Sequence, residues 1–396
     1  MEELIQQFRR RLDLLSFDFK RYLYDKINWR NRLIAIVGAR GVGKTTLILQ
    51  HIKETFTNLD EVIYVSLDHL YFSRVGLLEF ADRFVKNGGK FLFLDEVHKY
   101  PGWSVEIKNI YDLYPDLHVV VTGSSALQLH KGKADLSRRM LFYKMRGLSL
   151  REFVRLKYGI SLPVYDLEEI VTNAGEISKE INGKIKPLKV WNEYLREGYY
   201  PFFTEGDRYD EKLAHTVNEI IENDLPALTK INYTAVYKLK KLLMIMASLA
   251  PFKPNILKLS RQTDINRETL LKYLVWLQQA DLLLLLYANT KGIAKMNKPE
   301  KVYLNNPNLY FALAIDTVNK GTLRETFVAN QLSAEHAIVY AGKGDFLVDN
   351  KYYFEVGGKN KGPKQIAGLS NAYILSDDIE YAYQQVIPVW LFGFLY

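Results

Sequence analysis

Short apolar runs alternate with amphipathic stretches through the first part of the chain, from about residue 32 to residue 151. The runs are rich in β-branched or aromatic residues and nearly unbroken, as expected of parallel strands that are buried on both faces. Strands that alternate with crossover helices predict an α/β fold built on a parallel sheet. The predicted strands cover residues 33–37, 62–67, 91–94, 118–122 and 140–145.

Beyond Leu150 the pattern becomes helical and finally strand-like. A polar, glycine-rich stretch at residues 173–187 is expected to be an exposed excursion between two helical stretches. A compact helical part spans residues 236–287, and a strand-like, tyrosine-rich part begins at Lys301. The predicted regions are residues 1–150, with an N-terminal helical extension at 1–31, a helical lid or linker at 151–230, a third region at 231–300 and a fourth at 301–396.

The composition is that of a globular protein with more than one domain, since 48% of the 396 residues are hydrophobic and 25% are charged. A net charge of +8 is compatible with a polyanionic partner and equally with solubility alone. The absence of cysteine excludes disulfides and thiolate metal sites. The N-terminus has no apolar signal-peptide core, and the most apolar run, residues 282–287, is too short to span a membrane. We therefore expect a cytoplasmic protein with no membrane partner.

A glycine-rich segment, GARGVGKTT at residues 38–46, directly follows the first predicted strand and precedes a helical stretch. This is the P-loop motif in its strand–loop–helix context. In such a loop, backbone N–H groups surround phosphate oxygens, a lysine reaches the β- and γ-phosphates, and a hydroxyl binds Mg²⁺. Lys44 and Thr45 are predicted to take the last two roles. The residues predicted to bind ATP with Mg²⁺ are Gly38, Ala39, Arg40, Gly41, Val42, Gly43, Lys44, Thr45 and Thr46.

The third predicted strand ends in an Asp-Glu pair, Asp95 and Glu96. An aspartate at the carboxyl end of a strand beside the P-loop strand holds Mg²⁺, and the adjacent glutamate polarises the attacking water. Asp95 and Glu96 fit these roles in order. The next strand ends in Thr122, Gly123, Ser124 and Ser125, and we take Ser124 as the candidate sensor of the γ-phosphate, although hydroxyl residues here are also ordinary helix caps.

Three arginines follow these strands, Arg138, Arg139 and Arg146. An arginine near the γ-phosphate stabilises charge that develops in the transition state. Most arginines are solvated surface residues, so none of the three is singled out by its position in the sequence. Arg138 and Arg139 are taken as the catalytic candidates.

Several blocks in order resemble a prokaryotic family of AAA+-type (STAND-like) P-loop ATPases with a C-terminal winged helix and a restriction-endonuclease-like domain of unknown function. The blocks include residues 38–46, 94–115, 119–127, 135–140, 147–153, 194–203, 220–225, 301–313 and 321–332. The resemblance covers nearly the whole chain. It implies a P-loop sheet of the ASCE type with Glu96 as the catalytic glutamate. This chain has His98 where relatives often have glutamine.

The compact helical part has the order of a winged helix, with three helices, a tight turn before the third and then a strand. Asn266 is the expected cap of the third helix. If the unit binds DNA, this helix presents to a groove the residues Asn266, Arg267, Thr269, Lys272 and Tyr273. Winged helices also serve as protein-binding or interdomain modules, and a basic cluster such as Lys291, Lys295, Lys298 and Lys301 is often only a solvated face. DNA and protein partners both remain open.

The sequence pattern of the C-terminal region predicts a helix, a strand hairpin and a further strand. The family resemblance implies a restriction-endonuclease-like fold, in which Glu325, Asp345 and Glu355 match the acidic positions. Asp345 and Glu355 form a tentative second metal site, since converging carboxylates bind Mg²⁺. The lysine of such nucleases is replaced by Gly357, and Lys359 would lie on the same strand face if the strand continued. This domain is therefore expected to be catalytically degenerate.

The sequence thus favours a Mg²⁺-dependent ATPase coupled to a DNA-binding or regulatory module. One alternative is a slow ATP-dependent switch that binds DNA or protein through the winged helix. Another is a metal-dependent nuclease that uses Asp345 and Glu355. AAA+-like proteins often oligomerise, so a homo-oligomer or a protein partner is compatible with each of these.

Overall fold

The protein is described by a computed structural model that covers residues 1–15, 19–126, 136, 138–229, 231–289, 298–313 and 318–396. Two compact units make up the chain. The first comprises residues 1–146 and 219–232, and the second comprises residues 147–218 and 233–396. Most of the three regions predicted beyond residue 150 therefore lies in one unit, while residues 219–232 belong with the P-loop region.

The strands fall into three sheets. Five parallel strands form the sheet of the first unit, and the second unit holds a two-stranded and a five-stranded sheet. In chain order the strands are β1 (Leu33–Gly38), β2 (Val62–Ser66), β3 (Phe91–Asp95), β4 (His118–Gly123), β5 (Leu141–Met145), β6 (Leu283–Leu286), β7 (Lys301–Leu304), β8 (Ile338–Val339), β9 (Phe346–Val348), β10 (Tyr352–Gly357), β11 (Ala372–Ser376) and β12 (Val386–Pro388).

The helices surround these sheets and carry most of the remaining core. In chain order they are α1 (Glu2–Asp13), α2 (Lys44–Thr55), α3 (Leu77–Lys86), α4 (Trp103–Leu113), α5 (Leu150–Tyr158), α6 (Leu167–Asn182), α7 (Pro187–Glu197), α8 (Tyr209–Glu219), α9 (Leu225–Thr229), α10 (Tyr233–Leu249), α11 (Ile256–Thr263), α12 (Arg267–Gln279), α13 (Asn308–Ala312) and α14 (Lys320–Glu335). A π-helical turn, Ile220–Asp224, lies between α8 and α9.

The first sheet has the strand order β2-β3-β4-β1-β5, with every neighbouring pair parallel. This confirms the predicted α/β class with a P-loop sheet. All six residues of β1 are buried, which explains the unbroken apolar run that predicted this strand. The expectation that β3 lies beside β1 is wrong, because β4 separates them. The carboxyl ends of β1, β3 and β4 nevertheless meet at one edge, where the P-loop lies.

The predicted excursion at residues 173–187 is instead largely helical, since α6 runs to Asn182 and α7 starts at Pro187. A capping box formed by Asp166 and Glu169 begins α6. Its buried side chains include Ile170, Ile177 and Ile181, which share one helical face. This apolar stripe stabilises a helix that the polar residues and the glycine at position 175 obscure in the sequence.

The second unit contains α10, α11 and α12 followed by the antiparallel pair β6–β7. This is the element order on which the winged-helix prediction depends. Asn266 caps α12 as expected, since its side-chain oxygen accepts a hydrogen bond from the Thr269 N–H at 2.9 Å. Lys291 and Lys295 lie outside the described residues. The interpretation as a winged helix stays a prediction.

The C-terminal sheet of the second unit has the order β12-β11-β10-β9-β8. The hairpin β9–β10 is antiparallel, and β11 and β12 pair in parallel beyond it. Helix α14 lies against β8 and β10. A helix, a hairpin and a further strand were all predicted here. Among the described residues, no helix is long and apolar enough to cross a membrane.

A buried asparagine joins several segments of the second unit. The Asn308 side chain donates to the carbonyl oxygens of Tyr194 and Leu195, at 3.0 and 2.8 Å. Its oxygen accepts hydrogen bonds from the Tyr199 N–H and the Tyr209 hydroxyl, both at 2.7 Å. The amide thereby supplies a donor to the Leu195 carbonyl at the end of α7 and a second donor to the Tyr194 carbonyl, which also accepts from the Gly198 N–H.

Replacing Asn308 with alanine should therefore destabilise the second unit strongly. Asn308→Ala leaves several buried polar groups without a partner, and we expect a loss of about 3 kcal/mol or more in the free energy of unfolding. Denaturant unfolding followed by circular dichroism measures this loss. Asn319→Ala is the matched control, because Asn319 caps the exposed start of α14 and its removal should cost about 1 kcal/mol. Equal losses in the two variants would contradict the role assigned to Asn308.

Candidate functional site

The P-loop connects the carboxyl end of β1 to the N-terminus of α2, and its shape depends on glycine. Gly41 and Gly43 have φ angles of +83° and +96°, a region that other residues adopt only with strain. A Cβ on Gly38 would lie 2.3 Å from the Met145 carbonyl oxygen on neighbouring β5. Glycine is thus needed here both for the turn and for the close approach of two strands. Because α2 begins at Lys44, the loop N–H groups and the helix N-terminus face the same space.

Lys44 is held inside this loop. Its ammonium group donates hydrogen bonds to the carbonyl oxygens of Gly38 and Ala39, at 2.9 and 3.0 Å, and the residue is only 5% exposed. A buried ammonium needs such partners because it has lost its hydration. The arrangement places a positive charge at the base of the loop, where phosphate oxygens would lie.

Asp95 forms the centre of a hydrogen-bonded group behind the P-loop. Its Oδ2 accepts hydrogen bonds from the hydroxyls of Thr45 and Tyr64, each at 2.6 Å. Its Oδ1 accepts one from the Thr122 hydroxyl. A threonine hydroxyl beside a carboxylate is a donor set that suits Mg²⁺, which prefers oxygen ligands and keeps several waters. The residues present therefore fit the predicted roles of Thr45 and Asp95.

Tyr64, on β2, is a member of this group that the sequence did not single out. Burial and the adjacent Asp95 carboxylate raise the pKa of the Tyr64 phenol well above its usual value. The phenol therefore stays protonated and keeps donating to Asp95. Nothing in the run 62–66 distinguishes this tyrosine from a core aromatic residue, so its role depends on the pairing of β2 with β3.

Glu96 directly follows the strand and adopts a left-handed backbone conformation, with φ of +53°. Its N–H donates to Asp95 Oδ1 at 3.1 Å and to the Thr122 hydroxyl at 3.3 Å. These contacts turn the chain after β3. The Glu96 side chain is one-quarter exposed, and its Oε2 lies 3.4 Å from Nε2 of His98. Glu96 is therefore accessible, while the Asp95 beside it is buried.

Ser124 follows β4 at the same edge of the sheet. Its N–H donates to Nδ1 of His98 at 3.4 Å. Its hydroxyl is buried, yet no hydrogen-bond partner for it exists among the described residues. Since buried hydroxyls are normally paired, this oxygen is suited to contact a water or phosphate oxygen. The sensor role of Ser124 stays a prediction.

The three arginines lie at opposite ends of strand β5, with Arg138 and Arg139 before it and Arg146 after it. Arg139 contacts Asp112 near the C-terminal end of α4, with Nε 3.1 Å from Oδ1. It also precedes Leu141, which pairs with Ile34 near the start of β1. Arg138 and Arg139 are therefore remote from the P-loop of their own chain, and the prediction that they act there is wrong. Arg146 instead follows Met145, which pairs with Gly38 at the P-loop edge.

Arg21 supports this edge from the N-terminal extension. It is 5% exposed, and its guanidinium donates to the carbonyl oxygens of Val42 in the P-loop and of Arg146, the latter at 2.7 Å. Arg21 thereby ties the P-loop to the end of β5. No local pattern indicates this role, because Arg21 stands among other charged residues of the extension.

Asp224 is a further buried group at this site and comes from the π-helical turn. It is 1% exposed and lies near Lys99, His98 and Arg40. Burial raises the pKa of its carboxyl, but the contacts with His98 and Lys99 lower it more, to about 2. The group is therefore a carboxylate at neutral pH. Its block of sequence, residues 220–225, carries family resemblance but no local pattern that indicates this contact.

The second unit brings together the three predicted carboxylates with lysines between them. Lys301 Nζ lies 2.7 Å from Glu325 Oε2 and 2.9 Å from Asp345 Oδ1. Burial and the nearby Asp345 raise the pKa of Glu325, and burial likewise raises that of Glu355. Among the described residues, no group of three or more His, Asp or Glu side chains is arranged to hold a metal ion.

A lysine does reach Glu355, although it is not the predicted Lys359. Strand β10 ends at Gly357, so the condition under which Lys359 would lie on the same strand face is not met. The chain turns back, and Lys361 Nζ lies 2.5 Å from Glu355 Oε1. A Cβ on Gly357 would lie 2.4 Å from Cγ of Lys361. The Lys361 side chain thus fills the space that a side chain at position 357 would occupy.

Not all of the residues predicted to face a DNA groove are exposed to solvent. Tyr273 is buried and stacks against Trp276 with ring centroids 5.4 Å apart, so its predicted groove contact is wrong. Arg267 and Lys272 are exposed. Arg267 also lines a cavity of about 510 Å³ together with Lys253, Lys298 and Glu300.

Comparison with known proteins supports the assignment of the first unit. Residues 30–154 match the family model of the AAA domain, and residues 188–319 match a domain family of unknown function. An uncharacterized protein of Methanocaldococcus jannaschii is 26% identical over 417 aligned positions, covering 95% of this chain and 88% of that protein. The AAA match and the P-loop geometry together support a P-loop ATPase domain of the AAA+ class.

Solved structures with some similarity include AMPPCP-bound DnaA from Aquifex aeolicus. It is 16% identical to this chain, covers 65% of it and 84% of DnaA, and has a TM-score of 0.28. PCH-2 of C. elegans is 14% identical, with 70% of this chain and 66% of PCH-2 covered and a TM-score of 0.25. These likenesses are too distant to add to the assignment.

Replacing Lys44 should weaken nucleotide binding. Lys44→Ala removes the ammonium group that the structure places inside the loop, and we expect affinity for ATP to fall by about tenfold to a hundredfold. Titration calorimetry with ATP and Mg²⁺ measures the change. Lys90→Ala is the control, because Lys90 is an exposed residue paired with Glu61 away from the loop. Undiminished affinity in Lys44→Ala would refute the site.

Proposed function

We propose that the first unit binds Mg-ATP at the P-loop and hydrolyses it with Glu96 as the group that activates water. The contact that carries this proposal is the 2.6 Å hydrogen bond between the Thr45 hydroxyl and Asp95 Oδ2. This hydrogen bond holds the end of β3 against the P-loop, although β4 lies between β3 and the P-loop strand β1 in the sheet. Glu96, the next residue, is therefore held close to the phosphate end of the loop.

Each residue of the site has a role that its geometry supports. The loop N–H groups surround the phosphates, and Lys44 moves its hydrogen bonds from two loop carbonyls to phosphate oxygens. Mg²⁺, held by Thr45 and Asp95, would neutralise phosphate charge as the bond to the leaving group breaks. Glu96 orients the attacking water and accepts its proton, and the Ser124 hydroxyl contacts that water or the γ-phosphate.

The arginine proposed to stabilise the transition state is neither of the two predicted candidates. Arg146 follows the carboxyl end of β5, next to the P-loop, whereas Arg138 and Arg139 precede the amino end of β5. Within one chain, Arg146 is therefore the candidate for contact with the nucleotide. Arg138 and Arg139 stand at the opposite end of β5, so a contact with nucleotide would require a neighbouring copy in an oligomer.

The second unit supplies a candidate output for the ATP cycle. We propose that it contacts DNA through the cavity that Lys253, Arg267 and Lys298 line, because several cations around one concave surface suit phosphate oxygens. ATP binding and hydrolysis would then act as a switch on this contact. A protein partner is the alternative occupant, as the winged-helix order allows.

The ion pairs of the second unit do not favour a nuclease. Lys301 lies between Glu325 and Asp345, and Lys361 contacts Glu355. These carboxylates are therefore already paired with ammonium groups. We therefore interpret the group as a structural cluster of ion pairs and not as a second metal site.

Glu96→Gln should retain ATP binding and lose hydrolysis. The amide fills the same space but cannot accept the proton from water, so turnover should fall by about 100-fold or more. Phosphate release at saturating ATP and the dissociation constant of ATP are measured together. Glu79→Gln is the control, since Glu79 is an exposed residue on α3 paired with Arg83. Wild-type turnover in Glu96→Gln would remove Glu96 from its role.

DNA binding is tested separately from hydrolysis. The double variant Arg267→Ala, Lys298→Ala should bind duplex DNA more weakly, and the slope of its salt dependence should fall by about one unit for each phosphate that is no longer neutralised. Fluorescence anisotropy across salt concentrations gives this slope, and ATP turnover with and without DNA shows whether the two are coupled. Lys189→Ala, at an exposed position on α7, is the control. No change in affinity would favour a protein partner.

A further inference from the structure

The π-helical turn Ile220–Asp224 belongs to the first unit, although the chain on both sides of residues 219–232 belongs to the second unit. Single π-helical turns are rare and are found often at functional sites. This one ends at Asp224, whose side chain is buried against the loops of the P-loop ATPase site. The turn therefore brings a charged group from outside residues 30–154 to the nucleotide site.

Asp224 contacts two different loops of that site. Its Oδ1 lies 2.9 Å from Lys99 Nζ and 3.3 Å from His98 Nε2, both in the loop after β3. The same oxygen lies 3.6 Å from Arg40 in the P-loop. A buried carboxylate requires compensation of this kind, and here the compensation comes from the residues that flank Glu96 and the phosphates.

The hydrogen bond at Nδ1 of His98 determines where the ring proton lies. Nδ1 faces the Ser124 N–H at 3.4 Å, so Nδ1 acts as an acceptor. A neutral imidazole then carries its proton on Nε2. His98 Nε2 lies 3.4 Å from Glu96 Oε2 and 3.3 Å from Asp224 Oδ1. One N–H thus stands between two carboxylates.

Neither carboxylate has a full hydrogen bond to this N–H. Hydrogen bonds between N–H and a charged oxygen are normally about 2.7–2.9 Å long, and both distances here exceed that range. His98 Nε2 and Asp224 Oδ1 are both buried without an aligned hydrogen-bond partner among the described residues. The imidazole is therefore shared, and it can turn fully toward only one of the two carboxylates.

We propose that Asp224 is a positioning residue for hydrolysis, which competes with Glu96 for the Nε2–H of His98 and so keeps the Glu96 carboxylate free to engage water. The inference rests on the proposed role of Glu96. Without Asp224, His98 donates fully to Glu96 and holds its carboxylate away from the γ-phosphate. Residues 219–232 are joined in sequence to the second unit at both ends.

The test compares Asp224→Asn with the wild-type full-length protein in single-turnover hydrolysis and in ATP binding. We expect the rate of hydrolysis to fall by about tenfold, while the dissociation constant of ATP stays unchanged within error. In a His98→Ala background the same substitution should have no further effect on the rate, because Asp224 acts through the imidazole. An unchanged rate in Asp224→Asn, or an equal loss in the His98→Ala background, would overturn the proposal.

A second measurement uses the wild-type protein and does not depend on the folding of a variant. Nitrogen-15 spectra of labelled histidine, with His98 assigned from a His98→Gln sample, should show a neutral ring protonated at Nε2. A ring protonated at Nδ1, or a cationic ring, would also overturn the proposal. The Glu96→Gln variant distinguishes a failure of the proposed ATPase function from a failure of the positioning role of Asp224. If it hydrolyses ATP normally, the proposed function fails, whereas if it is inactive and Asp224→Asn is normal, only this inference fails.

Discussion

The hydrogen bond between Thr45 and Asp95 is the contact on which the nucleotide site depends. Thr45 stands in the first turn of α2, and Asp95 ends a strand that is two positions away from β1 in the sheet. Asp95 also accepts from Tyr64 on β2 and from Thr122 on β4. One carboxylate therefore fixes α2, β2 and β4 relative to the end of β3. The positions of Glu96 and Ser124 follow from this arrangement.

Buried charges give this site its rigidity. Lys44, Asp95 and Asp224 are each at most 5% exposed, and an isolated buried ion is strongly unfavourable. Lys44 is compensated within the P-loop itself. Asp95 and Asp224 are compensated by groups from other segments, so moving one of those segments would leave a charge without its partner. The site is consequently organised before substrate arrives, which is the condition for effective electrostatic stabilisation of a transition state.

The two predicted metal sites, one at Asp95 and one at Asp345 and Glu355, differ in the groups that contact their carboxylates. Asp95 is contacted by hydroxyl groups, which are neutral and leave its negative charge available to a metal ion. Asp345 and Glu355 instead form ion pairs with Lys301 and Lys361, and Lys301 is shared with Glu325. The identity of the partner, rather than the presence of carboxylates, therefore separates a site suited to Mg²⁺ from a structural cluster.

The features of the fold and site that could be predicted depend on residues adjacent in sequence. The features that could not be predicted depend on contacts between residues far apart in sequence. The run 33–37, the P-loop glycines and the Asp95–Glu96 pair are local patterns, because strand burial and phosphate binding impose their own spacing. Strand order decided that β4 lies between β1 and β3 and that Arg139 lies far from the P-loop. Likewise, the return of Lys361 to Glu355 and of Asp224 to His98 has no local signature. Such pairs are set by how turns and sheets fold the chain back on itself, and only the tertiary structure contains that information.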